Sequence, residues 1–335
     1  MIRFPKNIAH LSGETGDFRA GGTDIEARRQ RSLILSTSGT QAPVLITDLR
    51  DMDDLNKIEL LEDGSVQIGS MSTIEEIANH PQLQAYRGFV QAAGGLATPS
   101  VRRIARMGGN LLQQVRCPYP RQAGFSCLRT ESQGCPARFG MQLSHALVDL
   151  GGCIAPHPST LGMALLAWNA QILVASVGPD RPKRSNRNAL RKVPISDLYR
   201  HSTTASAKPH TLTKNELLVG VVLPLVALTE RSSWLRFSSR RFAEWPLVEA
   251  VVALNISQDQ TISDVRIAVG GVAAVPLRLN SLEASIASNG IDAVERLIET
   301  EQLFTERFIQ TAYKEDLLRV LLKDIFMDLI TDRGL

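Results

Sequence analysis

Every cysteine of this chain, Cys117, Cys127, Cys135 and Cys153, falls within 37 consecutive positions of a 335-residue sequence. Four thiols gathered so tightly point to joint use. Their spacing is C-x9-C-x7-C-x17-C. Zinc sites ordinarily use pairs two to four residues apart, and no such pair is present. Widely spaced thiolates on a loop suit an iron–sulfur cluster better than a zinc ribbon, and Cys117-Pro118 repeats the common placement of proline beside a cluster thiolate. Four separate, inert buried cysteines are the alternative. Two glycine pairs, Gly21-Gly22 and Gly108-Gly109, offer a second chemistry. Glycine pairs allow positive φ and close backbone approach, so their N–H groups can cradle phosphate. The plain alternative is a pair of ordinary turns.

The elements that must position these residues follow from pattern. Phe18–Ala20 reads as the end of a short strand entering the first glycine turn, and residues 25–36 read as a helix. Val44–Asp48 reads as a buried strand. Residues 57–70 alternate as a hairpin turning at Asp63-Gly64. Thr73 and Glu76 give the next helix a capping box; residues 84–97 form another, leading to the second glycine turn. Residues 146–153 read as strand. His157–Thr160 caps a helix over 161–168, followed by a strand over 170–175. Residues 176–192 are charged and read as an exposed loop, and Glu216–Leu223 is a buried strand closed by Pro224. Beyond a boundary at 225–233, residues 246–255 are ambiguous between strand and helix, Val265–Val269 is strand, and residues 281–332 carry a helical period. The layout is α+β with mixed sheets.

Composition narrows the function classes. Apolar residues make up 44% and charged residues 21%, an ordinary globular balance. Net charge is +3 with scattered basic residues, which disfavours nucleic acid as the main partner. The longest apolar run, 217–228, is too short to span a bilayer and contains Pro224. The amino-terminal residues have no apolar signal core. A cytoplasmic location is therefore expected, or a periplasmic one reached by co-export with a signal-bearing partner. Four cysteines are too few for a disulfide scaffold of this size, so metal or redox use is the better reading.

The motifs Ala20-Gly21-Gly22-Thr23-Asp24, Ile68-Gly69-Ser70-Met71-Ser72, Gly108-Gly109-Asn110-Leu111, His157-Pro158-Ser159, Glu216-Leu217-Leu218 and Ala268–Ala273 are each weak. In this order and spacing they are specific, and the chain resembles the flavin-binding medium subunit of the molybdenum hydroxylases. That family includes xanthine dehydrogenase and carbon monoxide dehydrogenase. Within it, the run Asn110–Gln113, Arg116–Tyr119 and the three later cysteines most resembles the flavoprotein subunits of periplasmic aldehyde oxidoreductases, which carry an additional [4Fe–4S] cluster. The resemblance implies a two-lobed FAD-binding domain of the vanillyl-alcohol-oxidase and xanthine-dehydrogenase type, with lobe 1 over residues 1–55. Lobe 2 spans 56–225 with the cluster loop at 110–153, and a smaller C-terminal α+β domain, an antiparallel sheet with helices, spans 229–332. It implies FAD contacts at Ala20, Gly21, Gly22, Thr23, Asp24 and Ile25, and at Arg106, Gly108, Gly109, Asn110 and Leu111. It adds Ser159, Thr160, Leu218 and Arg236, the last where the family usually has lysine. Cys117, Cys127, Cys135 and Cys153 would hold the cluster. Two positions depart from the family: Thr160 replaces an expected aspartate, and Arg106 replaces a hydroxyl residue near the phosphates. The arginine can still pair with a pyrophosphate.

The same resemblance implies an electron-transfer subunit. A large partner subunit would oxidise an aldehyde or related substrate at a molybdenum cofactor, and a small partner would carry [2Fe–2S] clusters. Electrons would pass to FAD on this chain and then to an acceptor. The alternative is an FAD-free scaffold subunit with a structural metal cluster. No side chain here is expected to act as a general acid or base. His145 and His157 are read as hydrogen-bonding or packing residues, Trp168 as core, and Arg240 and Arg241 as solvated or partner-facing.

Overall fold

The computed structural model describes residues 1–11, 16–25, 45–121, 125–130, 134–178, 190–201, 203, 209–240, 244–257 and 261–331. The helix expected over 25–36, most of the loop over 176–192, and Arg241 lie outside these residues. Three short strands open the chain: β1 (Ile2–Arg3), β2 (Asp17–Arg19) and β3 (Ile46–Asp48). They form a small parallel sheet in the order β1-β3-β2. Next come β4 (Ile58–Leu60), β5 (Val66–Gly69), and helices α1 (Ile74–Asn79), α2 (Arg87–Gly95), α3 (Pro99–Arg102) and α4 (Met107–Leu111). After the cysteine segment follow α5 (Thr160–Ala167), β6 (Gln171–Ser176), β7 (Arg191–Pro194), α6 (Ile195–Leu198) and β8 (Glu216–Leu223). Their five strands form an antiparallel sheet ordered β4-β5-β8-β6-β7.

The remainder holds β9 (Glu230–Phe237), β10 (Val248–Ile256), β11 (Ile262–Gly270), β12 (Leu277–Arg278), α7 (Asn280–Asn289), α8 (Val294–Thr300) and α9 (Tyr313–Thr331). The strands run antiparallel in the order β12-β11-β10-β9. Helices α2 and α5 pack on one side of this sheet, and α7 and α9 also pack against its strands. Trp168 is fully buried at the centre, meeting Tyr86 and Phe89 edge-on at 6.0 and 6.4 Å, the geometry aromatic quadrupoles favour.

The hairpin over 57–70 and the capping box form as patterned: Thr73 Oγ1 accepts from Glu76 N, and Glu76 accepts from Thr73 N. Gly69 and Gly220 pair across β5 and β8, where a side chain on Gly69 would stand 2.1 Å from the Leu55 carbonyl oxygen. Two expectations are corrected. Gly108-Gly109 is not a turn but the first part of α4, because Met107 N and Gly108 N donate to the carbonyls of Ser72 and Ser70 and start the helix there. Residues 146–153 form no strand. Leu147 N and Val148 N both reach the Val272 carbonyl and Val148 bridges Arg307, so this backbone is satisfied piecemeal. The ambiguous stretch at 246–255 is strand β10.

Candidate functional site

The first glycine pair leaves β2 and turns back on itself. Gly22 has φ +76°, and a side chain on Gly21 would stand 2.1 Å from the Ile104 carbonyl oxygen, so both positions need glycine. Across from them, Gly109 faces Ala20 at ordinary contact distance, 3.6 Å from an added Cβ. The two pairs thus converge on one cavity of about 760 Å³ between the small parallel sheet and the five-stranded sheet. Of the residues expected to hold FAD, Ala20, Gly21, Gly22, Thr23, Asp24, Ile25, Arg106, Gly108, Gly109 and Leu218 line it.

Arg106 offers this cavity a place for an anion. Arg106 donates from Nη1 to the Met71 carbonyl at 2.8 Å, while its Nε is buried with no protein partner. A buried guanidinium N–H without an acceptor is costly, and a phosphate oxygen would satisfy it. Arg19 leans over Gly22 and is held by Asp48 at 2.8 Å, which Arg50 also grips at 2.8 Å. Burial raises the Asp48 carboxyl, but its bonds to Arg50 and Arg19 outweigh this and hold it below the usual range. Gly108 N–H is already spent on Ser70 O, so that amide does not face a ligand.

The other expected residues lie elsewhere. Ser159 caps α5, accepting from Gly162 N at 2.9 Å, and its hydroxyl donates to Asn110 Oδ1 at 2.8 Å. Asn110 thereby ties α4 to α5. Leu111 is core, and its carbonyl accepts from Tyr199. Thr160 and Arg236 lie beside Glu249, which is buried on β10. Burial pushes that carboxyl up to about 7, against the opposing pull of the Thr160 hydroxyl and Arg236. The sequence reading missed the approach to β8: His210, Thr213, Lys214 and Asn215 line the same cavity. Their polar run directly before an apolar strand was the available signal. It named Asp24 but not its protein partners: Asp24 accepts from Gln114 N and pairs with Arg116 at 2.8 Å, while Arg116 stacks on Trp245 at 4.5 Å.

All four cysteines line a second, small cavity of about 10 Å³ together with Val115, Tyr119 and Ala137. None forms a disulfide. Burial, and to a lesser degree the other three sulfurs, push the Cys117 thiol up to about 12. Among the described residues no three His, Cys, Asp or Glu side chains converge on a single ion. All four nonetheless line the same space, and thiols are the soft donors that iron–sulfur groups and zinc take.

Comparison with known proteins completes the description. Residues 20–226 match the family described as the FAD binding domain in molybdopterin dehydrogenase, and residues 233–329 match the CO dehydrogenase flavoprotein C-terminal domain. The chain is 30% identical over 280 residues to the aldehyde oxidoreductase FAD-binding subunit PaoB of Escherichia coli (strain K12), covering 83% of this chain and 80% of that one. It is 30% identical over 115 residues to the nicotinate dehydrogenase FAD-subunit of Eubacterium barkeri, 32% of this chain and 36% of that protein. The fold is shared with a chain of quinoline 2-oxidoreductase from Pseudomonas putida 86. The TM-score there is 0.68 at 16% identity, over 99% of this chain and 96% of that one. It is also shared with a chain of carbon monoxide dehydrogenase from Hydrogenophaga pseudoflava, with TM-score 0.64 at 17% identity over 99% and 97%.

Proposed function

The chain belongs to the FAD-binding medium subunits of the molybdenum hydroxylases, and from that premise we propose that it is the electron-transfer subunit of a molybdenum-dependent aldehyde oxidoreductase. The observation that carries the reading is the 760 Å³ cavity in which both glycine pairs meet beneath Arg106. FAD bound there supplies storage for two electrons, with release one at a time. The chain's own residues bind and orient: the Ala20–Ile25 turn and Gly109 allow the pyrophosphate to approach, and Arg106 and Arg19 balance its charge. Leu218 presents an apolar wall from β8. No step requires a proton held by this chain.

Two finer statements belong to the same proposal. The four-cysteine cavity is the site of a [4Fe–4S] cluster. Partner subunits, a large one with the molybdenum cofactor and a small one with [2Fe–2S] clusters, deliver electrons to the flavin, from which an acceptor withdraws them. The four gathered cysteines support the first, and the likeness to an FAD-binding subunit of an aldehyde oxidoreductase supports the second. A scaffold that has given up FAD is the competing reading, motivated by Thr160 and Arg106; the cavity and its orphaned guanidinium argue against it.

The deciding experiment is flavin and iron analysis of the co-purified complex, wild type against Cys127→Ser. One FAD in both, and a loss of about four irons per copy in the variant, are expected. Undiminished iron in Cys127→Ser removes the cluster; absence of releasable FAD leaves the scaffold.

A further inference from the structure

Two side-chain nitrogens reach the sulfurs of the cysteine cavity. His145 Nε2 lies 3.3 Å from Cys117 Sγ, and Arg129 Nε donates to Cys153 Sγ at 3.4 Å. The rest of the wall is mostly apolar, built from Val115, Leu128, Pro136, Ala137 and Ala155 with Tyr119. His145 is 2% exposed, and its position is fixed twice. Its backbone N–H donates to Gln142 O at 2.7 Å, and its ring lies beside Tyr119. Its Nδ1 is buried and has no hydrogen-bond partner.

That asymmetry assigns the proton. A neutral imidazole carries one N–H. Placed on Nδ1, it would point at nothing; placed on Nε2, it points at the Cys117 sulfur. In the imidazolium Nε2 carries a proton as well, so the donor faces the sulfur in either state.

We propose that His145, seconded by Arg129, is a positioning residue that raises the reduction potential of an iron–sulfur group in this cavity. The proposal rests on reading the four cysteines as that group's ligands. When such a group takes up one electron its charge falls by one, no bond breaks and no proton moves. The added density spreads onto the cysteine sulfurs. An N–H dipole aimed at a sulfur therefore stabilises the reduced state more than the oxidised one, and hydrogen bonds to sulfur are a recognised lever on cluster potential. The cysteine cavity thus becomes the better electron sink.

The test is an EPR-monitored potentiometric titration of the co-purified complex, reduced with dithionite, with iron counted on the same samples. His145→Leu should keep its iron and lower the midpoint by at least a tenfold change in the reduced-to-oxidised ratio, 59 mV for one electron. His145→Gln, which returns an N–H near the same place, should recover most of that shift. Equal midpoints in wild type, His145→Leu and His145→Gln overturn the proposal. If His145→Leu sheds iron, Arg129→Met decides instead: a lowered midpoint supports the role of the donors, and an unchanged one refutes it. The underlying reading fails separately, if wild type and Cys127→Ser hold the same iron.

Discussion

Arg106 is only partly satisfied by its own protein. Its Nε has no acceptor, and it stands over the place where the glycine pairs meet. Replacing it with methionine removes a charge-assisted bond worth about 1.5–3 kcal/mol, so FAD affinity should fall roughly 10- to 100-fold. Flavin retained after dilution and gel filtration measures this. Gly21→Ala should act more severely, because an added Cβ meets the Ile104 backbone oxygen at 2.1 Å; a loss of about 1–3 kcal/mol in a urea melt is expected, with FAD lost alongside. Glu249 supplies a pH test. Its folded pKa of about 7 lies above the ordinary 4.5, so the fold favours the protonated form. Its contribution is therefore fully present below about 4.5 and is lost as pH rises toward 7. Glu249→Gln should flatten that slope and stabilise the chain at pH 8 by up to about 3 kcal/mol; equal urea midpoints for variant and wild type at pH 8 would refute it. The glycine pairs and cysteines were legible from residue type and order. Glu249 was not, because it meets Thr160 from a strand 89 residues further along the sequence.

Among the elements, those with one clear period were readable. The β4–β5 hairpin and the capping box at Thr73 each carry a local signal that needs no partner. Strand β10 carries none. Helices α2 and α5 pack against it, as does α9, and every residue but Asn255 is buried. A segment buried on both faces loses its alternation and reads like a core helix. Helix α4 failed for the opposite reason. Glycine pairs favour turns, and only the carbonyls of Ser70 and Ser72, contributed by the distant β5–α1 connection, hold Met107–Leu111 helical. The long helix α9 is held by burial: Leu318, Leu322, Ile325 and Phe326 are at most 1% exposed. Phe326→Ala should cost about 3–5 kcal/mol, read as a lower urea midpoint with flavin content per folded chain unchanged.

At the scale of the whole molecule, the two sequence-matched regions share a core. Phe89 and Trp168 from the first lie in one apolar cluster with Trp234, Val251 and Ala268 from the second. Polar bonds join the first region to β9 and β12: Trp168 Nε1 to Glu230 at 2.7 Å, Gly88 N to Ser232 Oγ at 3.0 Å, and Arg278 Nη1 to Leu166 O at 3.1 Å. The isolated chain should therefore unfold in one calorimetric transition; two resolved peaks would show the shared core to be weak. The cysteine segment is docked on that body, Gln142 N donating to Gln310 and Tyr313 to the Leu143 carbonyl, and it also closes on itself. Cys117 and His145 touch although 28 positions separate them, so the stretch between them begins and ends at one place. An excursion whose two feet already stand together adds little entropy to the rest when it is lengthened or cut. It is built like a cartridge, and a related scaffold could carry it or go without it while its flavin cradle stayed as it is.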